Sequence, residues 1–425
     1  MQPTMTDRCD TPRGAPTGLR RWAHFVALGQ VGGVEASCLA LAKSVHERDG
    51  SEHTLFADRL HPFWEAEWPA QGVERRSFKR ACGIRLPSRP RGLQARNLSR
   101  HLKALTPDVL LFWNLLYPPE IMARARRRAP AMIYLERGAA SLAGAHSSLQ
   151  ASMPFADLII ANSHASRRTL QLRWQLEQPI KVIPNPLRPL LSEPAAGPPK
   201  PHGRTEPPFR IGMVGRLKPF KGFALGIHAL RRLLDRGIDA RLAICGEGPE
   251  LAQTRALADS LGIAAHVEML GTRSDMAHFY DHLDILLCPS LREPFGLVSI
   301  EAQARGTPVV ATATDGLPET IDPERTGITV ATTLNYDELP GWGVDTEGLP
   351  DRVYSPASDR LEAPRGSHPD AIAEALAALL TSPERRQAMS AEAIRHVQRH
   401  FSMDHYVDDM TRIVQDTLQP ANEFT

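Results

Sequence analysis

Two carboxylates, Glu293 and Glu301, stand eight positions apart in the stretch REPFGLVSIE, around a Pro-Phe-Gly turn and an apolar run. A helix opening at Phe295 to Leu297 and ended by Gly306 puts Glu293 in the loop before it and Glu301 about two turns inside. Backbone amides at such a helix start hold anions, and carboxylates accept hydrogen bonds from sugar hydroxyls. One short segment could therefore grip a phosphate and two sugars, although a lone Glu301 would equally suit a solvent-facing helix position. A second cluster, GMVGRLKPFKGF, ends a strand at Gly215, supplies Arg216, Lys218 and Lys221, and opens a helix at Gly222. Cations beside a helix N-terminus favour an anion, and a diphosphate is the natural guest. Taken alone, the same cations could be solvated loop residues. In CGEGPEL the glycines, Gly246 first, let backbone approach a ligand, but Leu251 stands where a dinucleotide fingerprint wants its third glycine. His278 and His282, one helical turn apart in HFYDH, read as helix-surface residues because no third ligand accompanies them.

These loops need strands and helices to hold them. AHFVAL (23–28), a turn at GQVGG, a helix over 34–48 with Cys38, Leu41, Ala42 and Val45 on one face, and HTLFA (53–57) make a βαβ unit. The alternation recurs in DVLLFW, AMIYLE, ADLIIANS and IKVIPN, which implies a mostly parallel sheet with helices on both faces. It stops in the proline-dense 187–208 and restarts with FRIGMVG, ARLAICG, HVEMLG, DILLCPS and PVVAT, each followed by helix or loop. The expected class is therefore α/β, with two doubly wound Rossmann-like domains facing across a cleft. The expected boundaries are a flexible N-terminus (1–20), a first domain (21–186), the linker (187–208) and a second domain (209–400) with an insertion at 331–368. The chain then closes with a helix in 401–425 that crosses back to the first domain.

Composition agrees with two soluble cores. The chain has 425 residues, 42% hydrophobic and 23% charged, and a net charge of +2, which excludes a molecule-wide polyanion binder. Five cysteines, an odd number with no CxxC pair, fit reduced thiols in a cytoplasm. No apolar signal core or membrane-spanning run is expected.

In this order and spacing, EPFGLVSIE resembles the E-x7-E signature of family 4 of the retaining glycosyltransferases, whose B-type (GT-B) fold places the donor mostly on the C-terminal domain. GGVE, ADLIIANS, KVIPN, VGRLKPFKG, GEGP, LLCPS, GTPVVAT and GLPE extend the resemblance along most of the chain. It implies that Arg216 and Lys221 neutralise the diphosphate of a UDP- or GDP-linked sugar, and that Glu301 accepts the ribose hydroxyls. Glu293 would contact the transferred sugar, assisted by the amides of Phe295, Gly296 and Leu297. Gly32 and Gly33 would approach the phosphates from the first domain, while Thr272 and Arg273 would read the nucleobase. Where many family members carry a sugar-directed histidine, this chain reads Glu136-Arg137-Gly138, so Glu136 and Arg137 are the candidate sugar-facing residues. Pro186 replaces the usual glycine of the linker start.

No Asp-x-Asp occurs, which argues against a metal-held diphosphate, so neither metal nor other cofactor is expected. Retention at the anomeric carbon is implied, with the departing phosphate oxygen helping to deprotonate the acceptor. From Arg75 to Lys103 the chain has ten basic residues and no acid. A solvated face is one account; contact with an anionic membrane surface or a phosphorylated lipid-linked acceptor is the other. Nucleic acid is disfavoured because interleaved aromatics are missing. The expectation is a cytoplasmic, peripheral membrane enzyme that extends a surface glycan or lipopolysaccharide. A nucleotide-sugar 2-epimerase, a glycan phosphorylase and a non-catalytic sugar-nucleotide sensor are the alternatives on the same fold.

Overall fold

A computed structural model describes residues 20–30, 32–68, 71–87, 91–140, 150–176, 178–188, 191 and 205–418. The first sheet contains β1 (Arg21–Phe25), β2 (Glu52–Phe56) and β3 (Val73–Arg76), followed after a small hairpin, β4 (Arg80–Ala81) and β5 (Ile84–Arg85), by β6 (Val109–Trp113), β7 (Ala131–Glu136), β8 (Leu158–Ala161) and β9 (Ile180–Val182). Its order is β3-β2-β1-β6-β7-β8-β9, with all neighbours parallel. The second comprises β10 (Phe209–Val214), β11 (Ala240–Cys245), β12 (Val267–Gly271), β13 (Ile285–Cys288), β14 (Val309–Thr312) and β15 (Gly327–Val330), in the order β12-β11-β10-β13-β14-β15, again parallel. The strand order turns back beside β1 and beside β10, so each sheet has its ligand-binding crevice at the carboxyl ends of those strands.

The strands are short apolar runs because helices cover both faces. Core residues of the first sheet point alternately into two clusters, one with Trp22, Leu111 and Ile133 and one with Ala23, Phe112 and Tyr134. The helix Met403–Leu418 closes the first cluster with Tyr406, Val407, Met410, Ile413 and Val414, so the last helix packs on the first sheet. Within this core Trp113 donates its indole N–H to Nδ1 of His24 (3.1 Å), and the His24 Nε2 lies 2.9 Å from Nδ1 of His53. An indole can only donate, so His24 carries its proton on Nε2 and passes a hydrogen bond to His53.

Several elements lie where periodicity is weak. The edge strand β3 (VERR) has no apolar alternation, and the helix Pro383–His400 buries Arg386, Met389, Ser390, Ala393 and Val397, a stripe with few large apolar members. Residues 331–368 contain a 3-10 segment, Tyr336–Trp342, packed on the helix Phe223–Asp235, and a hairpin of β16 (Val353–Ser355) and β17 (Arg360–Glu362). The hairpin meets the helix His164–Trp174 of the first half through Arg168–Asp359 (2.7 Å), and Asp351 just before it pairs with Arg173 (2.8 Å). The expected flexible N-terminus, most of the 187–208 linker and the last residues of 401–425 lie outside the described residues.

Candidate active site

The chain leaves β13, runs through Arg292, Glu293 and Pro294, and enters the helix Leu297–Ala304 through Gly296. Glu301 thus sits about one turn into the helix, nearer its start than the sequence spacing suggested. Facing this helix start is that of the helix Gly33–Asp49, which follows β1. A Cβ on Gly33 would lie 2.3 Å from Cδ1 of Leu297, so a side chain there would have to displace the end of Leu297 where the two starts meet. Two helix starts therefore converge from opposite sheets, the arrangement that favours negative charge, although the Glu35 amide is already engaged by its own carboxyl.

Cations line the same gap. Lys221 Nζ is paired with the Glu293 carboxylate, both side chains being mostly buried (18% and 14% exposed), and the lysine stem runs over Gly215. Arg216 is exposed, and its charge acts on Glu35, one turn into the facing helix. Burial raises the Glu35 carboxyl above its usual range, opposed by a hydrogen bond from its own backbone and by the Arg216 charge. Gly246 closes the floor at the end of β11: its φ is 141°, and a Cβ there would lie 1.9 Å from the Gly215 carbonyl oxygen. Thr272 is exposed in the loop after β12, while Arg273 is held to Asp275 (2.9 Å from Nε).

Glu301 is not a solvent-facing residue. It is 1% exposed, accepts from the Tyr280 hydroxyl (2.9 Å) and pairs with Arg188 Nε (2.6 Å), at the start of the linker. Glu136 and Arg137 are also buried, at 0% and 8%. Glu136 accepts from the Tyr134 hydroxyl (2.8 Å) and from the N–H groups of Gly138 (2.6 Å) and Ala140 (3.0 Å), shaping a turn rather than facing open space. That turn presents the Gly138 carbonyl to Arg292. Arg137 donates to Asn185 (2.6 Å) and to the Tyr406 hydroxyl (2.7 Å), binding the strand end to the linker start and the last helix.

Sequence reasoning passed over three groups here, the first two of which join the halves. Ser163 donates to the Pro294 carbonyl (2.6 Å). Glu319, in GLPE, accepts from the N–H groups of His164 and Ala165 (2.7 and 2.8 Å), capping a helix of the other half. Asp315 is 4% exposed at φ 51°, and its carboxyl accepts from the Glu293 N–H. Its pKa is pushed up to about 7 by burial, with Glu293 and Glu319 adding to the rise and Arg292 opposing it. The motif GLPE marked the neighbourhood, but no local pattern shows that its Glu319, or Asp315 just before it, is engaged. Among the described residues no group of three or more His, Cys, Asp or Glu is arranged to hold a metal.

Residues 31–189 match the family described as Glycosyltransferase Family 4, and residues 199–340 the one described as Glycosyl transferases group 1. The D-inositol 3-phosphate glycosyltransferase of Corynebacterium jeikeium (strain K411) is 44% identical over 135 residues, 29% of this chain and 32% of that protein. The protein so named from Corynebacterium glutamicum (strain R) is 33% identical over 221 residues, 50% of this chain and 44% of its own length. The matches thus span less than half of these relatives. A glycosyltransferase from Rickettsia africae ESF-5 superposes with a TM-score of 0.72 at 16% identity, covering 95% of this chain and 100% of that one. Anabaena Alr3699/HepE in complex with UDP and glucose gives 0.66 at 18% identity, covering 93% and 99%. These two likenesses concern the fold, two Rossmann-like domains in the GT-B arrangement. With the two family matches lying end to end over most of its length, the chain belongs to the family 4 and group 1 glycosyltransferases.

Proposed function

We propose that the protein is a retaining glycosyltransferase that moves a sugar from a nucleoside-diphosphate sugar to a hydroxyl of a glycan or lipid-linked acceptor in cell-surface polysaccharide or lipopolysaccharide synthesis. The observation that carries this is the convergence of the two helix starts, at Gly33 and Leu297, beside Arg216 and the Lys221–Glu293 pair. A diphosphate there meets amides from both halves and two cations without a metal ion, and the charge that develops as it leaves is stabilised where it forms. The departing phosphate oxygen takes the acceptor proton on the face from which it leaves, so the anomeric configuration is kept. Glu293, tied to Lys221, orients the sugar beside that phosphate. UDP is the favoured nucleotide, a reading supported by the UDP held in Alr3699/HepE. The basic run Arg75–Lys103 suits a peripheral position at the inner face of the cell membrane; no described helix is long and apolar enough to cross one.

The test is thermal stabilisation of the full chain by UDP, GDP, ADP and CDP in the presence of EDTA. Binding to the folded state alone raises stability by about 2.7 kcal/mol at a hundredfold excess over Kd. Stabilisation by one nucleotide supports the reading, and none by any of them at millimolar concentration overturns it.

Arg188 bears on the same site. Its pairing with Glu301 competes with the ribose hydroxyls expected there, so Arg188→Ala should lower the Kd for UDP several-fold by calorimetry. Glu301→Ala should raise that Kd and cost about 1–3 kcal/mol of stability, because the buried Tyr280 hydroxyl loses its acceptor. A higher Kd in Arg188→Ala would instead make the arginine a direct nucleotide contact.

A further inference from the structure

The basic run of the first half is not spread evenly over its surface. Part of it lines a cavity of about 500 Å3 that Lys79, Arg85 and Arg91 share with Gln94 and Tyr117. Lys79 follows β3 and Tyr117 follows β6, so the cavity opens at the carboxyl edge of the sheet, the edge that also carries Gly32 and Gly33. Its floor is rigid: Tyr117 packs edge-on against Phe25, Phe78 and Phe112, with ring centroids 5.1 to 6.5 Å apart. Its rim is fixed by Gln94, whose side-chain amide donates to the carbonyls of Leu86 (3.3 Å) and Pro87 (3.0 Å), between the two arginines.

The charges there are poorly compensated. No lining residue is acidic. The nearest carboxylates stand back, Asp58 at 4.0 Å from Arg85 and Glu120 at 3.8 Å from Arg91, beyond hydrogen-bond distance. The Lys79 ammonium lies over the Tyr117 ring (5.5 Å from its centroid), and among the described residues no carboxylate pairs with it. Three cations around one concavity, with no hydrogen-bonded carboxylate among the described residues, are matched by a ligand carrying two or more negative charges on few atoms. The volume far exceeds a phosphate and falls in the range of small-molecule sites, leaving room for a sugar or polyol.

We propose that this cavity is an acceptor subsite that binds a phosphate ester or diphosphate carried by the acceptor, with Lys79, Arg85 and Arg91 holding the anion. The proposal rests on the transferase reading above and adds the acceptor's chemical class. Placed on the same sheet edge as Gly32 and Gly33, the anion anchors the acceptor while its free hydroxyl reaches the donor.

Two sources of the group, a soluble sugar phosphate and a lipid-linked diphosphate, are separated by experiment. Glucose 6-phosphate and glucose are titrated into the full chain saturated with UDP, and flotation is measured with phosphatidylcholine vesicles with and without a polyprenyl diphosphate. Binding of glucose 6-phosphate but not glucose identifies a soluble acceptor, and retention only by diphosphate-bearing vesicles identifies a lipid-linked one. In either case Lys79→Ala/Arg91→Ala should weaken the interaction about tenfold to hundredfold, the loss of two charge-assisted contacts, and leave the Kd for UDP unchanged. Lys221→Ala should do the reverse. Equal binding by the Lys79→Ala/Arg91→Ala protein, or no preference for the phosphorylated ligands, overturns the proposal. Failure of UDP to bind the wild type overturns the transferase reading instead, and the phosphate comparison, repeated without UDP, still decides the pocket.

Discussion

Lys221→Ala is expected to lower kcat by roughly two to three orders of magnitude, the scale on which removal of one preorganised charge partner acts when charge develops in a water-poor site. Lys221 leaves β10 through Gly215 and reaches Glu293 on the opposite side of the cleft floor, both side chains being largely screened from water. Its removal takes away a cation from the departing diphosphate and leaves the Glu293 carboxylate unpaired. The second loss should also cost stability, by about 1–3 kcal/mol. The two consequences separate in the double variant: Glu293→Gln added to Lys221→Ala removes the unpaired charge and should restore most of the unfolding free energy while restoring none of the rate. A single variant with wild-type kcat would remove Lys221 from the reaction.

Asp315→Asn should stabilise the protein most at alkaline pH, by a smaller amount at pH 5, and little below pH 4. The folded-state pKa of Asp315 is raised to about 7 from an ordinary 3.8, so the folded protein holds a proton that the unfolded chain has lost across that interval. By linkage, stability falls as pH rises from about 4 through 7, at up to roughly 1.4 kcal/mol per pH unit, and the cost is complete above the folded pKa. Asparagine keeps an acceptor for the Glu293 N–H, tolerates the positive φ of this position and never ionises. The stability difference between variant and wild type should therefore grow with pH and level off above pH 7, to a total of a few kcal/mol. Urea unfolding at pH 5, 7 and 9 measures it; a pH-independent difference would place the Asp315 titration elsewhere.

Both sheets were legible because their strands are buried on two faces. AMIYLE and the ILLC of DILLCPS read as short apolar runs and became strands over nearly the same residues. VERR and the Pro383–His400 helix were not legible, since an edge strand lacks alternation and a helix whose buried stripe mixes Met389 and Val397 with Arg386, Ser390 and Ala393 gives a weak apolar signal. At the site, spacing brought out Glu293 and Lys221, and the structure pairs them. It could not show that Glu301 is already engaged by Arg188, or that Glu136 shapes a turn, because both depend on partners far away in sequence or on side-chain direction. Glu319 lies in the recognised GLPE, yet its engagement depends on the docking of the other half, and Asp315 just before it is enclosed beside Arg292 and Glu293 of a distant loop.

The hairpin of β16 and β17 also bears on mechanics. The chain passes between the halves near Leu187 and again near Phe401, and the Leu187 N–H donates to the Phe401 carbonyl (2.7 Å), so the two passages act as one pivot. Bodies joined at one pivot can rotate about any axis through it. The Arg168–Asp359 and Arg173–Asp351 contacts supply fastenings away from that pivot. The contacts of Ser163 with Pro294 and of Glu319 with the start of the helix His164–Trp174 also resist rotation. Residues 331–368 thus act as a strap, tying the halves together at a point remote from where the chain crosses between them.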